Sequence, residues 1–210
     1  LPEDFIAGWF PMPKFPWITV VSGLPRSGTS LLMQALAAGG LPPLTDQTRA
    51  PDESNPRGYY ELEAVKRLKT DRSWLPQARG HAVKIIHLLL PELVTAAAEG
   101  AIAGEFRVVL MRRPVEEVVA SQRAMLARLG RPGAALPDAQ LGRIFSEQLA
   151  RAERSLAGKP EFRLRTVHYA AFVADPLAEA AGINAFLGGN LDEQAMARAV
   201  DPTLYRTRFN

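Results

Sequence analysis

Between Ser22 and Leu32 the chain reads SGLPRSGTSLL, a run whose residue types and spacing suit an anion. Four residues separate Gly23 from Gly28, and Thr29 and Ser30 follow directly. A loop of this kind turns backbone N–H groups towards one point, and the helix after it adds the partial positive charge of its N-terminus. Glycine gives such a loop its backbone angles and lets the ligand come close. Thr29 and Ser30 add hydroxyl donors, either of which can also cap the helix. Arg26 is the loop's only cation. Its planar fork of donors matches phosphate or sulfate oxygens.

The spacing nearly repeats the loop of ATP and GTP enzymes, in which a Lys follows the second Gly and the next Ser or Thr holds magnesium. Here Thr29 stands in the Lys position. The apolar run FRVVLM, Phe106 to Met111, leads into Arg112-Arg113 where many nucleotide hydrolases carry a magnesium-directing Asp. The metal features of an ATP-dependent phosphotransferase are therefore missing from their usual places. That activity stands as an alternative, beside a non-catalytic nucleotide-binding or scaffold protein on the same fold.

Composition narrows the field. The chain has 210 residues, 47% apolar and 22% charged, which is ordinary for a globular domain and too mixed for a disordered or collagen-like chain. It contains no Cys, which excludes disulfides, Cys-based zinc sites and thiol catalysis. Its His residues, His81, His87 and His168, fit no common zinc spacing, and no metal site is expected. The net charge of +3 is too small to argue for nucleic acid, and no basic stripe with interleaved aromatics occurs. The basic set is 20 Arg against 5 Lys, a bias that suits phosphate or sulfate recognition. No apolar run is long enough for a transmembrane helix. The opening residues lack the basic n-region of a secretory signal, so a cytoplasmic location is expected.

PRSGTS followed by LL resembles the 5′-phosphosulfate loop of the sulfotransferases that use 3′-phosphoadenosine 5′-phosphosulfate (PAPS), in particular the bacterial and Golgi-type members with Arg in the loop. The resemblance covers roughly residues 18–190. It implies a single P-loop-like α/β domain that moves a sulfuryl group from PAPS to a hydroxyl or amine and releases the 3′,5′-bisphosphate PAP. The acceptor would be a small molecule, a glycan or a lipid. The resemblance also implies that Arg26 contacts the 5′-phosphate and the moving sulfuryl group, and that Ser27, Gly28, Thr29 and Ser30 bind the phosphate oxygens. In that family an Arg at a strand end and a Ser eight residues later hold the 3′-phosphate. Here these are Arg113 and Ser121, with Arg112 sharing the claim. The segment VHYAAFVADPLAEAAGINAFLGG, Val167 to Gly189, resembles the family's later strand, Asp-Pro and helix.

Sulfuryl transfer needs an in-line acceptor, a base and cations over the moving group. Lys84, in the run AVKIIHLLLP, is the second cation, since a Lys in a buried strand is costly unless paired or functional. Family members with a His two residues after this Lys use it in catalysis. His87 lies three residues on, which strand alternation places on the other face. Other branches use a carboxylate in the loop after the first helix, which here offers Asp46 and Glu53, with Glu61 opening the next segment. Asp46 or Glu53 is the favoured base, and His87 the alternative. The stretch NPRGYYE, Asn55 to Glu61, reads either as a turn followed by a helix start or as a wall of the acceptor pocket, and Arg206 and Arg208 read as solvated residues, with closure over the 3′-phosphate as the alternative.

These groups need elements to hold them. Apolar runs predict strands at Ile18–Ser22, His81–Ile86, Phe106–Met111 and Phe162–Tyr169. Apolar periodicity predicts helices at Thr29–Ala38, Tyr59–Thr70, Pro91–Glu99, Val115–Leu129, Pro137–Leu156, Leu177–Leu187 and Asp192–Val200. Ala170 to Asp175 reads as a strand-to-helix link. Residues 1–17 read as an arm packed on the core, and 40–58 as an active-site loop. Strands alternating with helices imply a three-layer α/β fold around a parallel sheet.

Overall fold

The structure is a computed structural model that describes residues 15–207 apart from 47, 49, 53 and 54. Most of the expected N-terminal arm, together with Glu53 and Arg208, lies outside the described residues. Four strands form the sheet: β1 (Ile18–Gly23), β2 (Ala82–Lys84), β3 (Phe106–Arg112) and β4 (Phe162–His168). All pair in parallel, in the order β2-β1-β3-β4. Val20 pairs with Val83 on one side and Val108 on the other. The apolar runs of the central strands β1 and β3 reflect burial of both faces, while the edge strand β4 is partly exposed.

Strand alternation divides these residues between two layers. Val21, Val109 and Met111 pack beneath α1 (Thr29–Ala38), α5 (Tyr169–Ala174), α6 (Pro176–Phe186) and α7 (Glu193–Arg198). Val20, Val83 and Val108 face α2 (Leu90–Ala98) and α4 (Asp138–Leu156). Leu24 and Leu110 meet Val118 of α3 (Val115–Arg128) and Leu149 of α4. Sheet and two helical layers make the three-layer α/β architecture. Among the described residues no helix is long and apolar enough to cross a membrane.

Three elements differ from the sequence expectation. Tyr59–Thr70 is not an α-helix; only Glu63–Arg67 coils, as a 3-10 turn. Tyr60 has φ of 53°, in the left-handed region. The Tyr59 carbonyl accepts from Lys84 Nζ at 2.9 Å and the Glu61 carbonyl from Thr45 Oγ1 at 2.7 Å, so tertiary partners occupy the acceptors a helix would use. The second strand shortens to Ala82–Lys84, and a 3-10 turn starts at His87. Tyr169, expected to end the fourth strand, and Ala170 to Ala174 of the expected link form the short helix α5. Asp175 then caps α6, its side chain accepting from the Ala178 N–H at 3.1 Å.

Candidate functional site

A cavity of about 750 Å³ opens where the C-terminal ends of β1, β2 and β3 meet the start of α1, the crevice in which open α/β sheets bind ligands. The β1–α1 loop forms its floor. Gly23 (φ 155°) and Gly28 (φ 103°) carry backbone angles that favour glycine. A Cβ on Gly23 would stand 2.7 Å from the Met111 carbonyl oxygen, and one on Gly28 2.3 Å from the Tyr169 ring. Gly28 is the N-cap of α1 and no side chain caps that end among the described residues, so its first N–H groups face the cavity.

Arg26 also lies in the left-handed region, at φ 72°. A non-glycine residue held there is strained, and such strain collects at ligand sites. Its Nε donates to Ser121 Oγ at 3.1 Å, joining the loop to α3. Burial pulls the Arg26 guanidinium below its ordinary pKa; Tyr59 and Asp52 oppose this, while the neighbouring Arg128 and Arg113 add repulsion. Thr29 and Ser30 line the cavity. Ser27 is fully buried beneath Gly23, and its Oγ has no partner among the described residues. At the end of β2, Lys84 Nζ donates to Ser30 Oγ at 2.9 Å, and Asn55 Nδ2 donates to the same oxygen at 2.8 Å.

A second group gathers past β3. Arg113 donates through Nε to Glu117 at 2.9 Å, through Nη1 to the Arg26 carbonyl at 3.2 Å, and through Nη2 to the Thr207 carbonyl. Its guanidinium carbon lies 5.1 Å and 5.0 Å from the Tyr169 and Tyr205 ring centres. Glu117 is buried and also accepts from Tyr205 Oη at 2.8 Å. Residues 204–207 thus fold back over Arg113, and Leu204, Arg206 and Thr207 join the cavity wall. Arg57 fastens the neighbouring residues to the 40–58 loop, donating to the Ala199 carbonyl at 2.7 Å and to Asp201 at 3.1 Å.

The cavity therefore brings together Arg26, Gly28, Thr29, Ser30, Lys84, Arg113, Ser121 and Arg206 from the sequence-predicted set. Other members lie elsewhere. Arg112 turns to α4 and pairs with Glu153 at 2.5 Å. His87 is buried, its ring nitrogens meeting the Gly23 carbonyl at 3.2 Å and Gln148 Oε1 at 3.1 Å, so it braces the loop from below. Asp46 is exposed and accepts from the Glu63 N–H at 2.6 Å and from both the N–H and the hydroxyl of Thr48. The Glu63 N–H, chief among these donors, holds its carboxyl below the ordinary range. Among the described residues the carboxylate that lines the cavity is Glu61, from the stretch read as an acceptor wall.

Sequence reasoning overlooked Glu117, Arg128, Tyr169 and Tyr205. Arg128 follows Ser121 by seven residues on α3, a spacing that shares a helix face and signals it, whereas Arg113 precedes that helix and its pairing with Glu117 is set by the fold. Among the described residues the cavity wall carries five cations (Arg26, Lys84, Arg113, Arg128 and Arg206) against one carboxylate. A wall of this charge suits an anionic ligand, with donors both at the β1–α1 loop and past β3.

No family model matches the chain, and no curated protein matches it. Solved structures do. The sulfotransferase domain from the curacin biosynthetic pathway aligns with 92% of this chain and 92% of its own, at 14% identity and a TM-score of 0.58. The sulfotransferase domain of the Synechococcus PCC 7002 olefin synthase aligns over 95% and 91%, at 17% identity and a TM-score of 0.54. A sulfotransferase from Alicyclobacillus acidocaldarius aligns over 84% of both chains, at 15% identity and a TM-score of 0.51. The likeness is one of fold: this chain shares the P-loop-like α/β architecture of these proteins.

Proposed function

We propose that this protein is a PAPS-dependent sulfotransferase acting on a hydroxyl or amine acceptor. The observation that carries the reading is the pairing of two anion clusters in one cavity, with Thr29 where an ATP enzyme would have Lys. The donors fit a nucleotide phosphorylated at both ends. The uncapped start of α1 with Arg26, Thr29 and Ser30 would hold the 5′-phosphate, and Arg113 with Ser121 and Arg206 the 3′-phosphate. PAPS, when bound, supplies the sulfuryl group: the acceptor oxygen or nitrogen bonds to sulfur while the sulfur–oxygen bond to the 5′-phosphate breaks, its electron pair staying on the phosphate.

Lys84 and Arg26 offset negative charge at the reacting end, Lys84 held in place by Ser30 and the Tyr59 carbonyl. Glu61 takes the acceptor's proton. Its backbone is pinned, since its carbonyl accepts from Thr45 Oγ1, so the carboxylate is presented from a fixed strut. Thermal unfolding and calorimetry with PAP, against ATP with magnesium, test the reading. PAP should raise the melting temperature, by about 2.7 kcal/mol of linkage at a hundredfold excess over Kd. Binding should weaken in Arg26→Ala and Ser121→Ala. Stabilisation by ATP with magnesium and none by PAP would overturn it.

A further inference from the structure

His87 is buried in a run, KIIHLLLP, that is otherwise apolar after Lys84. A buried imidazole needs hydrogen-bond partners, so a Leu or Ile would fill the same space at lower cost. The partners of His87 lie on the anion loop and on α4. The last rung joining β2 to β1 is the Ile85 N–H, which donates to the Val21 carbonyl at 3.0 Å. Rungs between parallel strands recur every two residues, so the next would run from the N–H of residue 87 to the Gly23 carbonyl. The chain leaves the sheet before that point, and a 3-10 turn begins at His87. The ring takes the place of the rung, with Nδ1 3.2 Å from the Gly23 carbonyl oxygen. A carbonyl only accepts, so Nδ1 carries the proton and donates it. Nε2 meets the Gln148 side chain at 3.1 Å. An amide can present either its oxygen or its N–H to Nε2, so Gln148 holds the ring without competing for the Nδ1 proton. Gly23 opens the loop and lines the cavity, whereas His87 stands behind the wall. The peptide unit is planar, so a bond that fixes the Gly23 carbonyl fixes the direction in which the chain enters the loop. Lys84, three residues before His87, donates to Ser30 Oγ at the loop's other end. One short segment, residues 84–87, thus grips the anion loop at both ends.

We propose that His87 is a positioning residue for the 5′-phosphate: through the Gly23 carbonyl it sets the loop's entry, as Lys84 sets its exit at Ser30. It acts without touching the ligand, since both ring nitrogens are engaged. The inference rests on the sulfotransferase reading for its ligand. It is tested by calorimetry with PAP, adenosine 5′-monophosphate and adenosine 3′-monophosphate on the wild type, His87→Leu and His87→Asn. Leu removes both ring contacts. Asn keeps an N–H donor near the place of Nδ1 and gives up the reach to Gln148. His87→Leu should bind PAP and the 5′-monophosphate about tenfold more weakly, the scale of one lost hydrogen bond. It should bind the 3′-monophosphate within about twofold of wild type, because that end of the cavity shares no partner with the ring. His87→Asn should recover most of the lost PAP affinity. Unchanged PAP affinity in His87→Leu overturns the inference and leaves the sulfotransferase reading standing. Equal losses for the two monophosphates also overturn it, since they would mark a general loosening of the fold. So does an Asn variant no better than Leu, because the donor to Gly23 would then not be what matters. Where a monophosphate binds too weakly to read, the comparison of Leu with Asn on PAP decides. Should His87→Leu fail to fold, Gln148→Leu frees the ring from α4 and should weaken PAP several-fold, and unchanged PAP affinity there overturns the inference. Failure of the wild type to bind PAP removes the sulfotransferase reading, and this inference with it.

Discussion

Glu61 and Arg26 carry the chemistry in different ways. Among the described residues Glu61 is the carboxylate that lines the cavity, while Asp46 is spent on the Glu63 N–H. Replacing Glu61 by Gln keeps its shape and removes its proton affinity. It should cut kcat by about a hundredfold or more and leave PAP affinity intact. Parallel turnover and PAP calorimetry read both, and unchanged turnover would show that another group takes the proton. Arg26 pairs function with strain: its φ of 72° is easy for Gly and costly for Ala. Arg26→Gly should therefore be more stable to urea than Arg26→Ala by about 1 kcal/mol, although both lose PAP binding. Equal stabilities would mean that the loop relaxes once the guanidinium is gone.

At the scale of elements, the segments that place the site were unequally legible. β1 and β3 stand out because parallel pairing buries both faces, α1 because it is apolar almost throughout, and α3 and α4 because one face of each is apolar. The stretch at 59–70 has helical composition, but the contacts that hold it extended come from Lys84 and Thr45, distant in sequence. The link between Glu117 and Tyr205 spans 88 residues, and no local pattern announces it. That link suspends the chain end over Arg113, with the Tyr205 ring edge-on to Tyr169 at 4.8 Å. Tyr205→Phe keeps the ring and loses only the hydroxyl. It should cost about 1 kcal/mol of global stability. The loosened segment should also weaken PAP binding several-fold and speed proteolysis near the chain end. Wild-type PAP affinity in Tyr205→Phe would show that the segment holds its place without this bond.

The whole molecule carries a net charge of +3, yet among the described residues five cations and one carboxylate line a single cavity. Like charges gathered in a partly buried cleft repel, and low-dielectric walls concentrate their field. The unliganded fold should therefore gain stability from an anion that occupies the loop. Inorganic sulfate should raise the melting temperature more than chloride at equal ionic strength. Sulfate also strengthens burial in any protein by being excluded from its surface, so the comparison that decides is with Arg26→Ala. A specific site loses most of its sulfate response in that variant, because the loop loses its cation while the rest of the surface is unchanged. An equal response in both proteins would assign the effect to general exclusion, and the loop would then need the nucleotide itself to bind its anion.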